Sequence, residues 1–93
     1  MKEGYLPMGN IIYSRKQYRI YRECDGYIVH NTSKNFNNGH THINNYNTAK
    51  HILNMARHKS IPHKSIGNYL IDSLIRLSTD KGYIRKLKEL KKR

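Results

Sequence analysis

His40 and His42, in the stretch Asn38-Gly39-His40-Thr41-His42-Ile43, are the residues of this chain whose types and spacing best suit chemistry. On a strand, side chains two apart point to the same face, so two such imidazoles could share one metal ion. A third ligand would have to come from His30 on a neighbouring strand or from His51 on a helix. Carboxylates that orient ligand histidines are scarce, because Asp25, Asp72 and Asp80 have ready uses as turn, helix and cap residues. The competing account makes His40 and His42 a loop corner. One ring nitrogen then bonds the loop backbone, and the other edge faces solvent or a phosphate. The composition favours that account, and neither a metal nor another cofactor is expected.

Charge is the stronger signal. The 93 residues carry 18 Lys and Arg against 6 Asp and Glu, a net charge of +12 with neutral histidines. Self-repulsion of that size opposes compaction, so it points to an anionic partner rather than to the fold. The surplus is uneven. Residues 1–46 hold 6 basic and 3 acidic side chains, whereas residues 47–93 hold 12 and 3. Near the C-terminus Lys81, Arg85, Lys86, Lys88, Lys91, Lys92 and Arg93 face only Glu89, the usual footprint of a phosphate-binding surface. A single cysteine, Cys24, rules out an internal disulfide or a cysteine-based zinc cluster. No apolar run approaches the length of a membrane span, and residues 1–10 lack the apolar middle of a secretory signal. A cytoplasmic location and no membrane partner are expected.

These groups need elements to position them. Residues 11–23 alternate apolar and polar side chains through Tyr18-Arg19-Ile20-Tyr21 and read as one strand. Asp25-Gly26 then marks a tight type I′ turn into a second strand over 27–32. Asn38-Gly39 marks another turn, leading into a short third strand at 40–43, with Phe36 folded over the long hairpin. From residue 47 the pattern is helical. Ala49, Ile52, Leu53 and Ala56 share a face behind an Asn47 cap, and Pro62 ends the segment. Ile66, Leu70, Leu74 and Leu77, widened by Tyr69 and Ile75, form the second stripe, capped by Ser65 or Asn68. Tyr83, Ile84, Leu87 and Leu90 form a third, narrow stripe on a cationic helix started by Thr79 or Asp80. The expectation is one α+β domain: a flexible segment over 1–10, a hairpin or three-stranded antiparallel sheet over 11–43, and three helices over 47–93.

Two resemblances bear on function. His30 on a hairpin, the asparagines after it and His58 beside Lys59 on a helix loosely resemble the β-β-α-metal nucleases with a His-Asn-His motif. That likeness implies a metal-dependent nuclease with His30 as base. Its spacing departs from the family's compact pattern, and Val29 stands where an acidic or histidine partner of the base is usual. The stretches "DGYIVHNTSK", "NGHTHINNYNTAKHI" and "SLIRLSTDKGYIRKL" are similar to a family of small proteins of Firmicutes and their phages and mobile elements. This likeness covers the chain from about Tyr18 onward. No activity comes with it, so no residue role is carried over. It implies a phage-like habitat, where small proteins that inhibit host CRISPR nucleases are also found.

Tyrosines interleaved with cations in "YSRKQYRIYR" offer stacking surfaces beside phosphate contacts. The leading expectation is therefore a non-enzymatic protein that binds DNA or RNA through its phosphates. Arg15, Arg19, Arg57, Lys59, Arg85, Lys86 and Lys88 would carry the binding, with Tyr21, His40 and His42 adding local contacts. A phage-encoded inhibitor acting on a host defence nuclease or CRISPR effector is the alternative. The apolar face of the second helix leaves room for a homodimer.

Overall fold

The computed structural model describes residues 10–92. The flexible segment expected over 1–10 lies, apart from Asn10, outside the described residues. The fold is α+β, a four-stranded antiparallel sheet followed by three helices. The strands are β1 (Ile11–Arg15), β2 (Tyr18–Glu23), β3 (Gly26–Asn31) and β4 (His40–Ile43), paired in the order β1-β2-β3-β4. After them come α1 (Tyr46–His58), a 3-10 turn at Lys64–Ile66, α2 (Asn68–Leu77) and α3 (Lys81–Lys92). Among the described residues no helix is long and apolar enough to cross a membrane.

The single strand expected over 11–23 is two strands. Arg15 pairs with Tyr18, leaving Lys16 and Gln17 as a two-residue loop. No glycine, proline or asparagine announces this turn; Lys16 takes the left-handed conformation itself, at φ 54. The next turn is shifted by one residue from expectation. Glu23 pairs with Gly26, so the loop is Cys24-Asp25. Neither residue has positive φ, which excludes the type I′ geometry. Gly26 follows at φ 147, and a Cβ there would sit 3.0 Å from both Asn44 Cα and Ile43 O. Only glycine fits that approach of β3 to the end of β4.

Alternation does sort the sheet faces as the pattern implies. Tyr18, Ile20, Val29 and Ile43 point toward the helices and form the core with Ala49, Ile52, Leu53 and Ala56 of α1, Ile71, Leu74 and Leu77 of α2, and Tyr83 and Leu87 of α3. Arg19, Tyr21, Ile28, His30, His40 and His42 occupy the other face. The α2 stripe differs from expectation. The helix starts only at Asn68, after Gly67 breaks the chain at φ 96. Leu74 and Leu77 are buried as expected and Ile66, Leu70 and Ile75 pack against the core, but Ile71 joins the stripe, fully buried, while Tyr69 is 60% exposed.

Caps follow local hydrogen bonding. Asn45, not Asn47, caps α1 by accepting from the Thr48 amide. His63 caps the 3-10 turn through the Ser65 amide, and Gly67 precedes α2 with no side-chain cap, so neither Ser65 nor Asn68 serves there. Asp80 caps α3 by accepting from the Tyr83 amide at 2.9 Å. α1 ends at Lys59, which sits at φ 55 while its amide and that of Ser60 return to Ala56 O and Met55 O. This is a Schellman-type stop, at a position usually given to glycine.

The sheet is tied to α2 by side chains that reach backbone carbonyls. Fully buried Asn31 donates through Nδ2 to Leu77 O at 2.8 Å, and its Oδ1 accepts from the Ser33 amide and hydroxyl. Lys34 Nζ donates to Arg76 O and Ser78 O, where the helix dipole is negative. Arg76 reaches back to His40 O and Asn37 O. The hydroxyls of Thr41 and Ser73 meet at 2.6 Å in the interior. Together these bonds hold the 32–39 loop, and with it the histidine-bearing strand, against the end of α2.

Candidate functional site

The ten residues singled out as phosphate or base contacts fall into three groups. Antiparallel topology brings the β1–β2 loop and the C-terminal end of α1 to one end of the molecule. There Lys16, Arg57 and Lys59 line a depression of about 180 Å³ together with Asp80 and Tyr83. Arg15 and Arg19 lie beside it. Arg19 turns its guanidinium back onto Lys16 O at 2.6 Å and Tyr18 O at 2.9 Å, which braces the loop. Asp80 is the acid of this depression, held below the usual carboxylate range by the Tyr83 amide and, to a lesser degree, by Lys59 and Lys86. Its bond to Lys59 is long, at 3.9 Å, and well exposed, so it does little to fix that cation.

Two features mark this end. Among the described residues the non-glycine positions with positive φ are Lys16 and Lys59, and both line the same depression. A β-carbon in the left-handed region costs about 1–2 kcal/mol, which glycine avoids. Next to the depression, Arg15, Lys50 and Arg57 surround Tyr13. The Arg15 guanidinium sits 4.4 Å from the ring centroid and Lys50 Nζ 5.3 Å from it. The Tyr13 hydroxyl accepts from Asn54 Nδ2 at 3.1 Å. That bond, aided by Arg15, Lys50 and Arg57, pulls the phenol below its ordinary pKa against the opposing effect of desolvation. Lys50 and Tyr13 were missing from the sequence-derived set. Their signal was the row Lys50, Asn54, Arg57 at i, i+4 and i+7, which places all three on one side of α1.

The second group is on α3. Lys81, Arg85, Lys88 and Lys92 are all exposed and follow one another at steps of four, three and four residues, so they form one cationic ridge opposite the buried Tyr83 and Leu87. Lys86 is off this ridge, on the flank toward Asp80. Arg85 and Lys88 therefore share one side of α3, and Lys86 does not.

The third group lies on the outer sheet face. His30 and His40 are directly paired across β3 and β4, and His42 lies one step further along the same face. His40 stacks flat on Phe36, with 4.1 Å between centroids and planes 8° apart, and Phe36 meets His30 edge-on. The His40 Nδ1 donates to Phe36 O at 2.5 Å. His40 Nε2 lies 3.3 Å from His42 Nε2. Burial pushes the pKa of His40 down, with help from His42, Arg76 and His30, while the bond to Phe36 O opposes the shift. His30 is lowered chiefly by burial and further by Arg19, although its bond to Lys34 O favours the proton. Tyr21 stands 6.5 Å from His30 and is half-buried on the same face.

No third metal ligand joins this pair. Among the described residues no group of three or more His, Cys, Asp or Glu is gathered as a metal site. His30 spends Nε2 on Lys34 O, and His51 lies on α1, on the far side of the sheet. The same separation divides the nuclease-like set, since His30 is on the outer face while His58 ends α1 on the inner side.

Compared with family models, with curated proteins and with solved structures, the chain finds no match. The functional reading therefore rests on the geometry of the chain itself.

Proposed function

We propose that this chain is a non-enzymatic nucleic-acid-binding protein, of the phage or mobile-element kind its sequence resembles, that grips the phosphate backbone with one end of its fold. The observation that carries this reading is the pair of lysines, Lys16 and Lys59, held in left-handed backbone conformations around one depression with Arg57. The turn and the helix stop impose these conformations, which cluster at functional sites, and at both places a lysine stands where glycine would be relaxed. Glycine at either site would relieve the strain, but it would also remove a cation. Arg15, Lys50 and Arg57 around Tyr13 extend the same cationic surface along α1, and the α3 ridge adds a second row.

A double substitution separates binding from folding. Lys16→Asn with Lys59→Gly removes two cations and installs residues that tolerate positive φ. The variant should be as stable as the parent or more so, while its affinity for short labelled DNA and RNA falls. Four phosphate contacts from Arg15, Lys16, Arg57 and Lys59 would make the parent lose roughly 100-fold in affinity between 50 and 200 mM salt. The variant's salt slope should be shallower by about 1.8. Fluorescence anisotropy at several salt concentrations reads both quantities. Equal affinity and slope for parent and variant would overturn the assignment of this end.

A further inference from the structure

We propose that His40 and His42 form a two-histidine binding site for a late first-row divalent cation, with zinc as the working probe. This goes beyond phosphate binding and rests on different residues. The two Nε2 atoms are 3.3 Å apart. Two zinc–imidazole bonds of about 2.05 Å meeting at a tetrahedral angle place their nitrogens about 3.3 Å apart. The pair therefore already has the spacing of a chelate; in the free protein His42 Nε2–H fills it by donating to His40 Nε2, and zinc takes the place of that hydrogen, which moves to His42 Nδ1.

The protonation pattern of His40 is set as a ligand requires. The Nδ1 partner is the Phe36 carbonyl, which can only accept, so Nδ1 carries the hydrogen. In the neutral ring the lone pair is then on Nε2, the nitrogen that faces His42. A ligand histidine that donates its other N–H to a backbone carbonyl is the ordinary outer shell of a metal site, where it fixes both ring orientation and tautomer. Stacking on Phe36 clamps the ring from its face, so little rotamer freedom remains to be lost on binding. His42 is exposed at the surface and supplies the second nitrogen from the same face of β4.

The surroundings limit what can bind. Imidazole nitrogens select zinc, copper, nickel or cobalt rather than magnesium or calcium. The Arg76 guanidinium lies near, but it is committed to His40 O and Asn37 O. Asp72 lines the same hollow as His40, His42 and Tyr69, of about 250 Å³, but its Oδ1 is paired with Lys91 Nζ at 2.6 Å, so the two histidines carry the site. Among the described residues no third ligand completes the coordination, so water fills the remaining positions. Such a site binds reversibly at the surface and does not serve as a structural cage.

Isothermal titration of the full chain with zinc chloride tests the proposal, with magnesium chloride in parallel. The expected result is saturable one-to-one zinc uptake and none of magnesium. Ring-nitrogen NMR should show both the His40 and His42 Nε2 resonances shifting together. His42→Gln changes an exposed side chain and should weaken zinc binding by at least about 100-fold, more than the loss of a supporting shell contact. His51→Gln, on α1, should leave binding unchanged. Zinc uptake that is not saturable, that survives His42→Gln undiminished, that falls equally with His51→Gln, or that magnesium matches would overturn the proposal.

Discussion

Replacing Asn31 by leucine tests whether long-range bonds between side chain and backbone hold this fold together. Asn31 is fully buried, and its three hydrogen bonds fall into two kinds. Ser33 is exposed, so its amide and hydroxyl regain water when Oδ1 is lost, at little net cost. Leu77 is fully buried, so its carbonyl regains nothing. One lost bond of about 1 kcal/mol and one stranded carbonyl of about 1–3 kcal/mol bring the expected loss to about 3 kcal/mol. Leucine has the same branching but bulkier ends, so no cavity is left and any overpacking adds to the loss. With an m-value of about 1.5 kcal/mol/M, the urea midpoint should fall by about 2 M. Far-ultraviolet circular dichroism follows the transition, and Ser33→Ala, expected to shift stability by less than about 0.5 kcal/mol, is the control. A loss below about 1 kcal/mol for Asn31→Leu would mean that the α2 end is held by Lys34 and Arg76 alone, and the reasoning would fail.

Three other outcomes are expected. His30 and His40 both titrate below their ordinary value in the folded chain, so the unfolded chain binds protons first on acidification. Stability is then complete well above pH 6.5 and declines as the pH falls through 6.5 toward the folded values. Arg19, Arg76 and His42 around these rings deepen the loss, and urea midpoints at pH 7.5 and 5.5 would measure it. Gly39→Ala places a Cβ 2.6 Å from Lys34 Cβ, and the overpacking should cost about 1–3 kcal/mol in thermal or urea unfolding. Arg85→Glu with Lys88→Glu should leave the fold intact, lower nucleic-acid affinity and flatten its salt slope by about 1.8, read by anisotropy; unchanged binding would confine recognition to the Lys16 end.

Much of the architecture was legible in the sequence because it depends on local period. Tyr18 and Ile20 alternate with Arg19 and Tyr21, and Ala49, Ile52, Leu53 and Ala56 repeat at helical spacing, so faces and element types followed directly. What escaped is what local pattern does not carry. The β1–β2 turn is made by a lysine in a conformation that sequence reasoning assigns to glycine or asparagine. The start of α2 depends on Gly67, which reads as an ordinary helix-tolerated glycine until the chain is seen to break there. Asn31, Lys34 and Arg76 look like loop and surface residues, yet their partners lie 36 to 46 positions away. The candidate site was half visible for the same reason. Arg15, Arg57 and Lys59 were named from charge alone, whereas their meeting with Lys16 and Lys50 needed the topology.

The sheet also has an electrical orientation. Glu23 and Asp25, offset in part by Arg22, stand at the β2–β3 end, about 20 Å of strand away from Lys16, while Lys16, Arg57 and Lys59 outnumber Asp80 at the opposite end. If the proposed function holds, a molecule so polarised would rotate in the field of an approaching polyanion before touching it. Encounters should then be fast and pre-aligned in dilute buffer, and slow toward unguided diffusion as ions are added.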